Sequence, residues 1–251
     1  MSLLDKDVEG LAAEINRNID YQKELKLETE KSRRQLEQSI SDIAHDLRTP
    51  LTVVKGNLQM LEKEDLSPKG REYLDISARK AVTLKSMVDE FFELSVLESD
   101  SKPVELCKLD ITAFLSEFII ENETLIREHE LTPEISFLEK SVFVQANKEM
   151  LTRVFSNLIG NIFKYAKDSF LLSVTEESDC CRVRIGNKVE DTASIDIDHI
   201  FDRTYRADKA RSDGSAGLGL YIAKLLLEKQ KGSITAVLED ENLIFEIMLK
   251  M

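Results

Sequence analysis

Apolar side chains recur at every seventh position in the first part of the chain. A second apolar set lies three or four residues from the first, and together the two sets form one stripe: Ile40, Ala44, Leu47, Leu51, Val54, Leu58 and Leu61. This spacing is typical of a helix that packs against other helices along a single seam. The pattern therefore predicts a long helix that ends near Leu61.

A second helix is predicted after the stretch DLSPKG, where Ser67 can cap the helix and Pro68 can occupy its first position. The same spacing then continues to about Leu97, at Leu74, Ala81, Leu84, Val88 and Phe91. The two helices should pack as an antiparallel hairpin. Because a lone hairpin buries only one stripe of each helix, we expect two copies to form a four-helix bundle, which makes the protein a homodimer.

The hydrophobic pattern changes after the hairpin. Asp110 can cap a helix that runs to about His129. Short apolar runs predict strands at residues 134–138, 142–145, 170–175, 181–185, 233–238 and 243–249, with helices at 148–165 and 217–229 between them. We expect an α/β sandwich in which helices cover one face of a sheet, so the fold class is α plus α+β.

Four parts follow from these patterns. Residues 1–34 are predicted to be an amphipathic helix that transmits a signal from an input module, and residues 35–98 form the hairpin. Residues 99–108 are predicted to be a linker. Residues 109–251 form the α/β domain.

The composition excludes several classes of function. Lys and Arg number 34 and Asp and Glu number 47, which gives a formal net charge of −13. Because duplex nucleic acid is bound by clustered basic charge, we expect no nucleic-acid partner. The sequence carries neither a long apolar run nor a signal peptide, so we expect a soluble fragment that meets a membrane only through an upstream segment. The spacing of Cys107, Cys180 and Cys181 fits neither a disulfide framework nor a zinc site.

The segment DIAHDLRTPL carries the first candidate chemistry. His45 follows a seam position and should therefore be exposed on the flank of the helix. The carboxylate of Asp46 can hold the Nδ1 proton of the imidazole and leave Nε2 nucleophilic. Thr49 lies one turn beyond His45, and Pro50 removes a backbone hydrogen bond, so we expect a kink just after the histidine.

The segment RVFSNLIGNIFKYAKD carries a second set of polar residues, placed on one stripe beside an apolar helix face: Asn157, Asn161, Lys164 and Tyr165. The amide oxygens of Asn157 and Asn161 could ligate Mg²⁺, which prefers hard oxygen donors. Lys164 could contact a phosphate, and Tyr165 could line the pocket that holds a base.

A third candidate is the GLGL sequence that opens the last predicted helix, formed by Gly217, Leu218, Gly219 and Leu220. Backbone N–H groups at such a helix start can bind an anion. The preceding segment is rich in basic residues, which include Arg203 and Arg206. We interpret it as a lid over a triphosphate.

In this order, the three segments resemble the motifs of sensor histidine kinases of two-component signalling, over about residues 35–251. DIAHDLRTPLTVVKG is similar to the family's phosphoacceptor box, and the asparagine segment is similar to an ATP site shared with Hsp90, gyrase and MutL. The resemblance implies ATP and Mg²⁺ as cofactors, autophosphorylation of His45, and transfer to an aspartate in the receiver domain of a response regulator. It further implies that Thr49 supports dephosphorylation of the regulator and that this is the cytoplasmic portion of a membrane-bound sensor.

One motif departs from the family pattern. Most members carry Asp-x-Gly-x-Gly about fourteen residues before the Phe that opens the lid, and its Asp reads the adenine amino group. Counting back from Phe201 reaches Asn187, which is followed by KVEDTAS without either glycine. The amide oxygen of Asn187 can accept the same hydrogen bond without charge assistance, so we expect weaker nucleotide binding; Asp191 is an alternative base reader. A kinase-impaired dimeric scaffold or phosphatase, and an Hsp90-like ATPase, are alternative functions.

Overall fold

The computed structural model describes residues 3–99, 103–189, 192–203, 205, 217–239 and 241–251. Within these ranges, the side chains of residues 3–13, 30, 34–37, 41, 44, 45, 99 and 194 are not described. All structural statements below refer to the described residues.

Two long helices form the predicted hairpin. Helix α1 spans Leu3–Leu61 and helix α2 spans Pro68–Ser99. The Oγ atom of Ser67 accepts a hydrogen bond from the N–H of Gly70 at 3.1 Å, which confirms the predicted cap of α2. Helix α1 continues through Pro50. Within the described residues, no helix combines the length and apolar character needed to cross a membrane.

An ion pair fixes how the two helices lie side by side. The Nε and Nη2 atoms of Arg48 donate to Oδ1 of Asp89 at 3.0 and 2.6 Å, and Lys85 Nζ donates to Oδ2 at 2.9 Å. Burial opposes ionisation of Asp89, but the hydrogen bonds from Lys85 and Arg48 outweigh it and lower the pKa of this carboxyl. In an antiparallel pair each step forward on one helix is a step back on the other, so the end of α2 lies beside about residue 38 of α1.

The remaining residues form two sheets and four helices. The strands are β1 (Cys107–Asp110), β2 (Thr132–Ser136), β3 (Phe143–Ala146), β4 (Ser169–Glu177), β5 (Cys180–Lys188), β6 (Ser233–Glu239) and β7 (Asn242–Lys250). The helices are α3 (Ile111–Glu121), α4 (Glu123–Glu128), α5 (Lys148–Tyr165) and α6 (Gly219–Lys229), and a short 3-10 helix spans Thr192–Ser194.

The larger sheet has five strands in the order β2-β4-β5-β7-β6. Strands β2 and β4 are parallel and the other neighbours are antiparallel, while β1 and β3 form a separate antiparallel pair. Alternate residues of β5 are buried, as Cys181, Val183 and Ile185 show, and they join one apolar core with α3, α5 and α6. Burial raises the pKa of the Cys181 thiol to about 12, which suits an inert core position.

Three details differ from the sequence predictions. Strand β1 was not predicted, and it begins at Cys107, inside the predicted linker. The predicted helix from Asp110 to His129 is split into α3 and α4, because the Nδ2 atom of Asn122 donates to the carbonyl of Phe118 at 2.8 Å and ends α3 there. Asp110 does cap α3, through bonds from the N–H groups of residues 112 and 113 at 3.1 and 3.2 Å. Helix α6 begins two residues late, because Gly217 has a φ of 72°, which is not helical.

Candidate functional site

The asparagine segment and the GLGL segment meet at the start of α6. A Cβ atom added to Gly219 would lie 3.4 Å from Oδ1 of Asn157, so the side chain of Asn157 lies directly against the first residue of α6. The structure therefore brings together two of the three predicted motifs, which are far apart in the sequence.

The amide of Asn157 lacks a hydrogen-bond partner on its nitrogen. Nδ2 of Asn157 is buried, and no acceptor for it is found among the described residues. A buried donor without a partner costs about 1–3 kcal/mol, so such atoms are uncommon in folded proteins. An amide with a free donor and a carbonyl oxygen suits a polar ligand such as a phosphate or a hydrated Mg²⁺ ion.

The first turn of α6 offers further donors. Leu218 occupies the cap position without a side-chain hydrogen bond to the helix, so the first backbone N–H groups of α6 have no capping acceptor from this residue. Leu218 is buried and anchors the turn, while the positive φ of Gly217 directs the chain into it. The N-terminus of a helix attracts anions through these N–H groups and the helix dipole. With Asn157 alongside, the residues present fit a nucleotide phosphate with its metal ion.

The other residues of the α5 stripe lie further along the same helix. Asn161 is half-buried, and Lys164 and Tyr165 are exposed in the last turn. Leu220 is half-buried in the first turn of α6. Their roles in binding a metal ion, a phosphate and a base stay predictions.

Asn187 is the second-last residue of strand β5 and one of the few buried polar residues among those described, at 4% exposure. It lies opposite Phe170 on one side and Leu243 on the other. Its Nδ2 atom donates to the carbonyl of Lys188 at 2.9 Å. The predicted hydrogen bond from an adenine amino group would be accepted by Oδ1, so the role of Asn187 as base reader stays a prediction. Asp191, the alternative base reader, lies outside the described residues.

We expect Asn187→Ala to weaken ATP binding by about 5- to 10-fold, because one hydrogen bond to the base would be lost. Calorimetric titration of Asn187→Ala and of Asp191→Ala with ATP compares the two residues. An unchanged affinity in Asn187→Ala together with a large loss in Asp191→Ala would assign the base to Asp191 instead.

Arg203, in the segment predicted to form a lid, lies against the hairpin. Nη1 of Arg203 is 3.5 Å from Oε2 of Glu98, near the end of α2. Arg206 and the rest of the predicted lid, residues 204 and 206–216, lie outside the described residues. The structure therefore shows Arg203 with a carboxylate partner that the sequence did not predict.

A second contact joins the α/β domain to α2. The guanidinium of Arg153 on α5 binds both carboxylate oxygens of Glu93, with Nε donating to Oε1 and Oε2 at 2.8 and 2.9 Å. This hydrogen bonding by Glu93 raises the pKa of Arg153. Neither this pair nor the Arg203–Glu98 pair was predicted from the sequence, because no local pattern connects residues so far apart in the chain.

The predicted phosphoacceptor segment lies within α1. The backbone is helical at His45. The structure does not describe the side chain of His45, so its exposure stays a prediction. Asp46 and Thr49 are exposed on the same helix, while Arg48 between them is held by Asp89 on α2. The structure thus fixes the helix around the histidine through its neighbour Arg48.

Comparison with known proteins decides the family. The model of the His Kinase A (phospho-acceptor) domain matches residues 35–100, and that of the histidine kinase-, DNA gyrase B- and HSP90-like ATPase matches residues 146–251. The sensor protein VanSC of Enterococcus gallinarum is 33% identical over 245 residues, which cover 94% of this chain and 68% of that protein. The chain belongs to the sensor histidine kinase family.

Solved structures share the fold of this histidine kinase. Full-length ShkA in complex with AMPPNP superimposes with a TM-score of 0.66 and 20% identity, over 85% of this chain and 46% of that one. The histidine kinase ThkA in complex with the response regulator protein TrrA superimposes with a TM-score of 0.60 and 19% identity, over 90% of this chain and 66% of that one. The predicted combination of a helical hairpin and an α/β ATPase domain is confirmed.

Family membership also confirms the predicted activity. This histidine kinase is an ATP-dependent phosphotransferase that phosphorylates itself and passes the phosphoryl group to a response regulator. The match to the phospho-acceptor domain distinguishes it from ATPases that share only the nucleotide fold.

Proposed function

We propose that this kinase transfers the γ-phosphoryl group of ATP to Nε2 of His45. The observation that carries the proposal is the meeting of Asn157, whose buried Nδ2 lacks a partner, with the first turn of α6. This arrangement offers a phosphate several donors that nothing else in the described residues uses.

The candidate residues have different roles in this reaction. Asn157 and Asn161 would hold Mg²⁺, which neutralises phosphate charge when it is bound. The turn from Gly217 to Leu220 would hold phosphate oxygens through backbone N–H groups. Lys164, Arg203 and Arg206 would supply positive charge. Tyr165 would line the adenine, and Asn187 would accept a hydrogen bond from its amino group.

The residues around His45 would handle the proton and the charge. The lone pair on Nε2 attacks phosphorus, a phosphorus–nitrogen bond forms, and the bond to the bridging oxygen of ADP breaks. The imidazole keeps its Nδ1 proton throughout, and Asp46 balances the positive charge that develops on the ring. Positioning and electrostatics therefore supply the catalysis.

Labelling with γ-labelled ATP tests the reaction. The full chain should acquire label with Mg²⁺ and none with EDTA, and the label should be acid-labile and base-stable, as expected for a phosphohistidine. A base-labile, acid-stable label would contradict attack by an imidazole.

The exposure of the hairpin seam supports a homodimer. On α1, Leu51 and Leu58 are partly covered, whereas Leu47, Val54 and Leu61 are not. On α2, Leu74 is buried while Leu84 and Phe91 are not. These five exposed residues lie on the apolar stripe, yet 45–49% of their surface is accessible to solvent: Leu47, Val54, Leu61, Leu84 and Phe91. A second copy of the hairpin would cover them.

We expect sedimentation of the full chain at micromolar concentration to show a dimer. Val54→Asp would place a charge in the seam and should weaken the dimer by about 100-fold or more. Val53→Asp is the matched control, because Val53 has the same side chain and is also exposed but lies off the seam. A monomeric wild type, or equal disruption by both variants, would contradict the proposed interface.

We also propose that the acceptor is an aspartate in the receiver domain of a response regulator that docks on the hairpin. The complex of ThkA with TrrA supports a partner of this kind. Similarity to a sensor protein supports the further proposal that the chain is the cytoplasmic portion of a membrane-bound sensor.

Thr49 is proposed to support dephosphorylation of the regulator, since it lies exposed one turn after His45. Thr49→Ala should lose most phosphatase activity and retain autophosphorylation, because its hydroxyl would orient water and does not take part in the attack by Nε2. Release of phosphate from a phosphorylated regulator, measured beside autophosphorylation, checks this; Thr52→Ala, on an exposed threonine of the next turn, is the control. Equal loss of both activities in Thr49→Ala would contradict a separate role.

A further inference from the structure

The last turns of α2 dock the ATP-binding domain through an apolar centre. Leu94 is fully buried and belongs to the same hydrophobic core as Phe155 of α5 and Leu227 of α6. Leu97, one turn later, packs against this core. The hairpin and the ATP-binding domain are therefore joined by a hydrophobic contact in addition to the linker.

Two carboxylates flank that centre, and their partners come from three elements of the nucleotide site. Glu93 binds Arg153, which lies one turn before Asn157 on α5. Glu98 accepts a hydrogen bond from the hydroxyl of Tyr221 at 3.2 Å, and Tyr221 lies two residues after the start of α6. Glu98 also lies 3.5 Å from Arg203, at the beginning of the lid.

Tyr221 is held as a donor in this contact. Burial and the neighbouring Glu98 carboxylate both raise the pKa of Tyr221, so its hydroxyl stays protonated at neutral pH. Of the two flanking carboxylates, Glu98 alone binds a residue for which we have proposed a role with ATP. Glu93 binds Arg153 on α5, and Glu98 lies beside Arg203.

We infer that Glu98 competes with the phosphates of ATP for Arg203, so that docking of the ATP-binding domain on α2 and nucleotide binding oppose each other. The inference rests on the proposed function, in which Arg203 faces the phosphates. A guanidinium has other N–H groups to offer while Nη1 faces Glu98. The carboxylate and the phosphate would then share one cation and repel each other, which disfavours the doubly occupied state.

The coupling acts in both directions, as linkage requires. Nucleotide weakens the contact at Glu98 by the same factor by which that contact weakens nucleotide binding. The Arg48–Asp89 pair sets the docked segment of α2, residues 93–98, beside about residues 39–44 of α1, just before His45. Nucleotide binding therefore loosens the domain at the level of the phosphoacceptor segment.

The test is calorimetric titration of the full chain with Mg·AMPPNP. Glu98→Gln should bind the analogue about 3-fold more tightly than wild type, since an exposed ion pair is worth little more than this. Glu134→Gln, which removes a charge from an exposed position on β2, should leave the affinity unchanged. In an Arg203→Gln background, Glu98→Gln should give no gain, because the competing cation is absent.

The possible failures are distinguishable. If Arg203→Gln weakens binding but Glu98→Gln has no effect, competition is wrong and the proposed nucleotide site stands. If Arg203→Gln leaves affinity unchanged, Arg203 does not bind the phosphates, and both the inference and that part of the proposed function are overturned. A gain from Glu98→Gln that persists in the Arg203→Gln background would also overturn the competition.

Discussion

Replacement of His45 by alanine is expected to abolish labelling of the chain by γ-labelled ATP, while binding of ATP stays at the wild-type level. The imidazole supplies the attacking nitrogen, and alanine offers no nucleophile in its place. The ATP-binding domain contains none of the residues around position 45, so its affinity for nucleotide has no reason to fall. Measurement of acid-labile label and of calorimetric ATP affinity on the same preparation checks both the loss of labelling and the unchanged binding.

The other two histidines provide matched controls. The ring of His129 stacks on Phe163 with centroids 4.7 Å apart, and Nδ1 of His129 lies 2.9 Å from the carbonyl of Leu125. Nδ1 of His199 lies 2.6 Å from Oδ2 of Asp202, and this hydrogen bond raises the pKa of His199. Both rings thus have partners within the fold, and His129→Gln and His199→Gln should keep the label. Label that persists in His45→Ala, or vanishes in a control that still binds ATP, would place the phosphoryl group elsewhere.

Asn157→Ala should separate activity from stability. We expect autophosphorylation to fall on the order of 100-fold or more, because a ligand of Mg²⁺ and a donor to phosphate would be lost together. The fold should be as stable as wild type, or up to about 1 kcal/mol more stable, because the substitution removes a buried Nδ2 atom that has no partner in the described residues. Initial labelling rates and the midpoint of urea unfolding measure the two effects.

Asn147, at the start of the same helix, should show the opposite behaviour. Its side chain caps α5 by accepting from the N–H of Met150 at 3.0 Å, and its Nδ2 atom donates to the carbonyl of Glu105 at 3.3 Å. Asn147→Ala should therefore lose about 1 kcal/mol of stability and keep its labelling rate at temperatures where it is folded. If Asn157→Ala proved the less stable of the two, its amide would have a structural role and not a ligand-binding one.

Local patterns predicted most of the fold. The seven-residue repeat predicted α1 and α2, and short apolar runs predicted strands β4 and β5. Both signals depend on residues only a few positions apart. Helix α5 has the predicted bounds, since the cap at Asn147 and the apolar stripe are both local. Strand β1 was missed because it is stabilised only by pairing with β3, from Ala146 opposite Cys107 to Phe143 opposite Asp110.

The candidate site was predictable only in part, for the same reason. Asn157 and Gly219 were each identified from their own segments, and the structure places them next to each other. The partners of Arg48, Arg153 and Arg203 on α2 depend on how the hairpin and the ATP-binding domain pack. That packing follows from burial of Leu94, which looks in the sequence like any other apolar residue of a helix.

Helix α1 is continuous for 59 residues, and the end of α2 reaches only to about residue 38 of it. At about 1.5 Å per residue, some 50 Å of helix stands beyond the hairpin as a single rod. An unbroken α-helix resists twisting and compression far better than a loop, because each turn is bonded to the next. A rotation or an axial shift of the helix near residue 3 would therefore be transmitted to His45, because the described backbone between these two positions is helical throughout.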